Sequence, residues 1–401
     1  MLFKTAWRNL ARNKRRTLVL LLTVSLGVAA LFLFDGFNAG IMNQYKDNTI
    51  HAKTGHGQLN TKGYRDAIYE KPWEHWMEQP EQLTQKIRSL PGVTHVFPRV
   101  DFFAVITNGN LSVAGRGTGV SGHDEADFFW TLNVVEGETL RDQEQGIIIG
   151  VGLARALNVK PGDRITLLGN TIHGTMNGLD VRVTGIFHSG LKEADDSYFR
   201  IQMVDALRLL DTDKVETFAI GLRSDRDWPA FAQAVRTQLP ELEATPFEVL
   251  DEVYYQHAVD WLGQQFAVIQ LIILVIVTLG ITNTISFTVV ERTPEIGNLR
   301  ANGESAWEVL QLLLWEGFLI GLIGAALGII GAWLFNTLAL PKGILMPPAP
   351  GITRQFNVKI ELQWAMVFLA SALGLGSTLF ATWVAAWRKV HIPIGEALRY
   401  R

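Results

Sequence analysis

Residues 289–310 read V-V-E-R-T-P-E-I-G-N-L-R-A-N-G-E-S-A-W-E-V-L and stand between two long apolar runs. Thr293 at an N-cap, Pro294 at the first helical position and Glu295 in the first turn are helix-start signals. A Thr hydroxyl accepts from a free backbone N–H, Pro has no N–H to satisfy, and an acid suits the positive end of the helix. Gly303 favours a stop, because glycine tolerates the left-handed backbone that ends helices. Local physics therefore predicts a short capped helix over 291–303, linking two apolar segments.

Working outward, apolar residues gather into four runs, near 17–34, 266–290, 310–340 and 362–387. Each approaches or exceeds the roughly 20 residues that a membrane-crossing helix needs. With 48% hydrophobic residues and a mean hydropathy of +0.15, the chain is not a soluble enzyme. Residues 1–16 carry Lys4, Arg8, Arg12, Lys14, Arg15 and Arg16 and no acid, and Arg388, Lys389, Arg399 and Arg401 follow the last run. Basic residues flanking spans stay on the cytoplasmic side, so both ends are read as cytoplasmic. The first run is read as an uncleaved anchor, because Phe32, Phe34 and Phe37 occupy its exit where a cleavage site would need small residues.

The expected organisation is thus 1–40 as N-terminus and first span, 41–260 as an exterior α+β domain, and 261–401 as spans two to four with the 291–303 helix inside the cell. The fold class is membrane α-helical, with four transmembrane helices and a large α+β domain inserted between the first two. Residues 41–260 hold 21 Lys+Arg against 31 Asp+Glu, which argues against nucleic acid, since its capture needs a basic face. There is no cysteine, so thiolate chemistry and Cys-type zinc sites are excluded.

Within the exterior segment, L-T-Q-K-I-R-S-L-P-G-V from Leu83 is echoed by F-A-Q-A-V-R-T-Q-L-P-E-L at 231–242. Two copies of one helix–strand unit suit a domain built from both flanks of the segment around an insert. That insert contains G-I-I-I-G at 146–150, a helix from Leu153 to Leu157, a turn at Lys160–Asp163 and V-R-V-T-G-I-F at 181–187. A last helix from Phe247 is expected to run unbroken into the second span. The glycine-rich G-R-G-T-G-V-S-G at 115–122 lacks the Lys-Ser/Thr of a phosphate-binding loop and is read as a surface loop. His51 with His56, and His123 with Asp124 and Glu125, lack the helical spacing of a zinc motif, and no metal site is assigned.

The string E-R-T-P-E-I-G-N-L-R-A-N-G resembles the cytoplasmic coupling segment of the MacB-like ABC transporter permeases, the FtsX-like group that includes the lipoprotein-releasing LolC and LolE subunits. Three further blocks carry the likeness in order: A-W-R-N-L-A-R-N-K-R-R-T at 6–17, G-I-I-I-G-V-G-L-A-R-A-L-N-V-K-P-G-D-R-I at 146–165 and W-V-A-A-W-R-K-V-H-I-P-I-G-E-A-L-R-Y at 383–400. Residues 34–58 look nearer to the Lol type than to macrolide exporters. The resemblance implies a bacterial inner-membrane permease subunit that is not itself an enzyme. It works as a dimer, with a second copy or a homologous permease, together with two copies of a separate ATPase that binds ATP and Mg; the chain needs no cofactor of its own. Glu291, Arg292, Pro294, Glu295, Ile296, Gly297, Leu299, Arg300 and Gly303 match the segment that docks on the ATPase. Asn298 and Asn302 depart from it, standing where the family has apolar residues.

The implied cargo is a lipidated or amphipathic molecule, such as a lipoprotein, taken from the outer leaflet. The alternatives are mechanical control of a periplasmic partner such as a cell-wall hydrolase, and drug or peptide efflux with a periplasmic adaptor; a carrier protein would accompany the first reading. Phe32, Phe34 and Phe37 at the exit of the first span and Trp261, Phe266, Val268 and Ile272 at the start of the second share one membrane depth. They are candidates for acyl-chain contact, or else ordinary interfacial anchors. Gly317, Gly321, Gly324, Gly328 and Gly331 permit close helix approach, either between two permeases or among the four spans. Glu316 is expensive in lipid and is expected at the cytoplasmic interface.

Overall fold

The computed structural model describes residues 2–130, 132–140, 146–251, 257–347 and 355–399. The spans are helices Lys14–Thr49, His257–Glu291, Ala306–Ala339 and Trp364–Val390, all long and apolar enough to cross a membrane. Two compact units result, one of Met1–Asn43, Asp260–Met346 and Asn357–Arg401, the other of Gln44–Val259 and Pro347–Phe356.

In the helical unit the first span buries Leu20, Val24, Gly27 and Leu31, a stripe at helical spacing. The glycines of the third span receive this stripe and the fourth span: Gly324 and Gly328 lie against Val24, Ser25 and Val28, and Gly317 and Gly321 against Thr382, Leu375 and Thr378. Four of the five glycines therefore serve packing within the chain, because without a side chain they let neighbouring helices approach. Gly331 alone of the five meets nothing within 4 Å. The second span is the least covered: 6% of its most apolar window is buried, against 33–39% in the others. Its buried residues, Ile281, Ile285, Thr288 and Val289, lie towards its C-terminal end.

The sheet unit is built on strands β1 (Gly57–Thr61), β2 (Val93–Thr107), β3 (Ser112–Val120), β4 (Asn133–Gly137), β5 (Gly146–Gly150), β6 (Arg164–Asn170), β7 (Met176–His188), β8 (Tyr198–Gln202), β9 (Thr217–Leu222) and β10 (Leu242–Pro246). The 15-residue β2 serves two assemblies. Its first half pairs antiparallel with β9, which continues to β1 and β10. Its second half pairs with β3 and β6, and the pairings β2-β3-β8-β5-β7-β6-β2 close a circuit. Ile106, Ile147, Ile149, Val183, Phe199 and Ile201 fill that circuit.

The two echoed segments fold alike: helix Pro80–Arg88 precedes β2 and helix Trp228–Gln238 precedes β10. Ile87, Phe231 and Val235 share one core with Leu59, Val96, Phe218 and Ile220.

Two expectations fail here. Residues 115–122 are no surface loop but largely strand β3. Gly117 passes between the rings of Phe102 and Phe199, where a Cβ would come within 2.6 Å of ring carbons, so the glycines make room for core aromatics. Nor does the helix from Phe247 run on unbroken. It ends at Leu250, and Asp251 leaves helical geometry at φ −113°, ψ 36°. Phe247 is held in a core with Ile50, Phe97, Phe128, Phe129 and Ala219, which ties this turn to the sheet. Residues 252–256 lie outside the described set.

Polar locks join the two sheet assemblies. Glu125 accepts from Arg99 at 2.8 and 2.9 Å and from Arg200 at 3.0 Å, with the Phe129 ring 4.2 Å from the Arg99 guanidinium. Glu216 accepts from the Tyr64 hydroxyl and from the Asp101 amide at 2.6 Å, and Asp101 in turn accepts from Arg116 and Thr118. Burial, then the Asp101 carboxylate, pushes the Glu216 carboxyl up to about 7. His51 and His56 stand among the aromatic rings of this core: His51 Nδ1 lies 2.8 Å from the Phe128 carbonyl, and His56 Nδ1 accepts from the Leu222 amide at 3.1 Å. The side chains of His123 and Asp124 are outside the described set.

Candidate functional site

The second span ends at Glu291, Arg292 turns the backbone, and a helix over Thr293–Ala301 follows. Thr293 does not cap it. Its hydroxyl donates back to the Val290 carbonyl at 2.8 Å, because the helix starts one residue earlier than the proline suggests and the side chain is already inside the turn. Gly303 at φ +103° ends the segment, and Ser305 with Glu308 forms a capping box that opens the third span.

Arg292 is 6% exposed and Glu316, on the third span, 5%. The guanidinium donates through Nη1 to Glu316 Oε2, through Nη2 to Oε1 at 3.2 Å and through Nε to Glu295 Oε2 at 3.0 Å. Asn9, on the N-terminal helix Leu2–Arg12, donates to Glu316 Oε1 at 2.8 Å. One carboxylate thus gathers the linking segment, the third span and the N-terminal helix. A buried acid needs such partners, since desolvating an unpaired charge costs several kcal/mol. Glu316 was legible as an acid in an apolar run; its partners Arg292 and Asn9 were not, because they lie 24 and 307 residues away.

The matched coupling residues divide by face. Arg292, Ile296 and Gly297 are buried inward, and a Cβ on Gly297 would meet Ala397 at 2.9 Å. Arg300 donates to the Ile392 carbonyl at 2.7 Å, so the C-terminal helix Ile394–Leu398 is bound to the same segment. Pro294 and Leu299 are half-buried. Glu291, Glu295, Asn298, Asn302 and Gly303 face outward.

The candidates at the other end of the spans also divide. Phe34 and Phe266 meet edge to face with centroids 6.2 Å apart, and Gln270 donates to Asp35 at 2.8 Å one turn further on. Phe32 is buried in the helical core, and Phe37 is half-buried. Trp261, Val268 and Ile272 are more than half exposed.

Residues 17–238 match the family model described as the MacB-like periplasmic core domain, and residues 267–394 match that of the FtsX-like permease C-terminal domain. The chain belongs to this family of ABC transporter permeases. Over 95% of its length the permease is 24% identical to the lipoprotein-releasing system transmembrane protein LolC of Xylella fastidiosa, covering 92% of that protein. It is 24% identical to LolE of Haemophilus influenzae over 99% of this chain and 98% of that one. The macrolide export ATP-binding/permease protein MacB of Agrobacterium fabrum is 26% identical over 84% of this chain and 53% of that one.

Proposed function

We propose that this permease couples ATP hydrolysis by two copies of a separate ATPase to extraction of a lipoprotein-like substrate from the outer leaflet of a bacterial inner membrane. It does so paired with a second permease, and with both termini in the cytoplasm. The observation that carries the coupling half is the Arg292–Glu316–Asn9 clamp together with the Arg300–Ile392 bond. They tie the Thr293–Ala301 helix to the second and third spans and to both terminal helices, so a push on its outward face moves span ends together. Glu291, Glu295, Asn298, Asn302 and Gly303 offer that face to the ATPase, whereas Arg292, Ile296, Gly297 and Arg300 hold its shape. The substrate half rests on the likeness to LolC and LolE and on the sparsely covered second span. Phe34 and Phe266 there form an aromatic gate beside a lipid-facing surface that includes Trp261, Val268 and Ile272.

The test exploits the division of faces. The double variant Asn298→Arg, Asn302→Arg changes only exposed side chains, so insertion and thermal unfolding stay as in the parent while the ATPase fails to co-purify. Full retention of the ATPase and of substrate-stimulated hydrolysis would refute the docking face.

A further inference from the structure

The N-terminal helix carries two stripes. On one, Ala6 and Leu10 are buried against the helical core, and Phe3 meets Trp315 edge-on with centroids 6.0 Å apart. Beside them an apolar cleft of about 170 Å³ is lined by Trp7, Leu10, Thr17, Leu21, Ile320 and Ile323. Its one hydroxyl is already spent, because Thr17 donates to the Leu10 carbonyl at 2.9 Å. On the other stripe Lys4, Arg8 and Arg12 follow at four-residue spacing, and Lys14 and Arg15 continue it across the break at Asn13. Arg12 approaches Glu295 at 3.8 Å. Lys4, Arg8, Lys14 and Arg15 are exposed, and no ion pair reaches them among the described residues.

An apolar slot lined by Trp7, Leu10 and Thr17, which alternate in sequence with four exposed cations that no ion pair reaches among the described residues, is complementary to an amphiphile with a hydrocarbon chain and an anionic head. A helix with Phe and Trp on one face and Lys and Arg on the other lies in the membrane interface. A protein segment could fill the slot, but the cations would then remain uncompensated at a surface rich in lipid phosphate. We propose that the cleft between the N-terminal helix and the first and third spans holds an acyl chain of an anionic phospholipid whose head group lies on Lys4, Arg8, Lys14 and Arg15. The bound lipid fills the space beneath the N-terminal helix and so supports the helix that carries Asn9 to Glu316. This inference rests on the membrane placement of the spans and is independent of the ATPase and of the cargo.

The test uses the full chain in phosphatidylcholine vesicles containing a minor fraction of phosphatidylglycerol or phosphatidylcholine that bears a diazirine in its acyl chain. Adducts are mapped by peptide mass spectrometry. Labelling of residues 7–21 and 320–323 is expected to favour the phosphatidylglycerol probe by at least about fivefold, the effect of one engaged basic residue. Labelling at Leu26 and Leu338, exposed on the spans, should be the same for both probes. The preference should vanish in the variant Lys4→Gln, Arg8→Gln, Lys14→Gln, Arg15→Gln. In Ile323→Trp, which fills the cleft and leaves every charge, cleft labelling should be lost with either probe. Equal labelling of the cleft by the two probes, no labelling there, or a preference that survives both variants would overturn the proposal.

Discussion

Replacing Arg292 by Met leaves the Glu316 carboxylate buried with only the Asn9 bond, after loss of both guanidinium contacts. Breaking a buried pair by removing one partner costs about 3–5 kcal/mol, and the surviving Asn9 bond puts this case near about 3 kcal/mol. Glu316→Leu should be milder, about 1.5 kcal/mol, because Arg292 keeps the half-exposed Glu295 carboxylate at 3.0 Å and Asn9 is itself only half-buried. Removing both leaves no buried charge unpaired and adds apolar packing, so the double variant should lie within about 1 kcal/mol of the parent, the half-buried Asn9 amide alone losing its acceptor. The cycle therefore predicts a favourable coupling of about 3.5–4.5 kcal/mol between two residues 24 positions apart. The measurement is the unfolding free energy of the four full-length proteins in one detergent, followed by the ATPase activity of the assembled complex. Losses below about 0.5 kcal/mol in Arg292→Met, or additive effects in the double variant, would show that the pair is not the buried clamp described here.

A reporter active only outside the cytoplasm, fused after residue 120, should work, and one fused after residue 300 should not; activity at both positions would end the four-span topology. A photo-crosslinker at Phe34 or Phe266 in the nucleotide-free complex should capture lipoprotein, whereas one at the buried Phe32 should not. Phospholipid adducts alone at all three would favour the mechanical-transmitter reading. Burial, then His51, lowers the His56 imidazole to about 4 from 6.5, so its contribution to stability is present above pH 6.5 and is lost as pH falls towards 4. The shift corresponds to at most about 3 kcal/mol, and unfolding of His56→Gln followed against pH should lack this acid limb. The raised carboxyl of Glu216 has the opposite sign: its stabilisation is full below pH 4.5 and fades as pH rises through about 7, so Glu216→Gln should flatten the neutral limb of the same curve.

The four spans, the linking helix between the second and third, and the paired helix–strand units flanking the insert are all written in local patterns. A run of apolar residues, a proline beside an acid and a repeated amphipathic stripe act through neighbours close in sequence, so they can be read without a fold. The role of each glycine could not be read this way. Gly117 looks like a loop residue until Phe102 and Phe199 close on it, and Gly317 to Gly328 serve intrachain packing only because Thr382, Thr378, Val24 and Val28 arrive opposite them. The split of the coupling segment into an inward and an outward face likewise needed the tertiary structure. Residues 291–303 contain apolar and polar side chains without a dominant stripe, and only the presence of Glu316, Asn9 and Ala397 decides that Arg292 and Gly297 turn in while Asn298 and Asn302 turn out. Desolvated charge explains the difference: a buried arginine is stable only where a distant carboxylate meets it, and sequence spacing carries no record of that meeting.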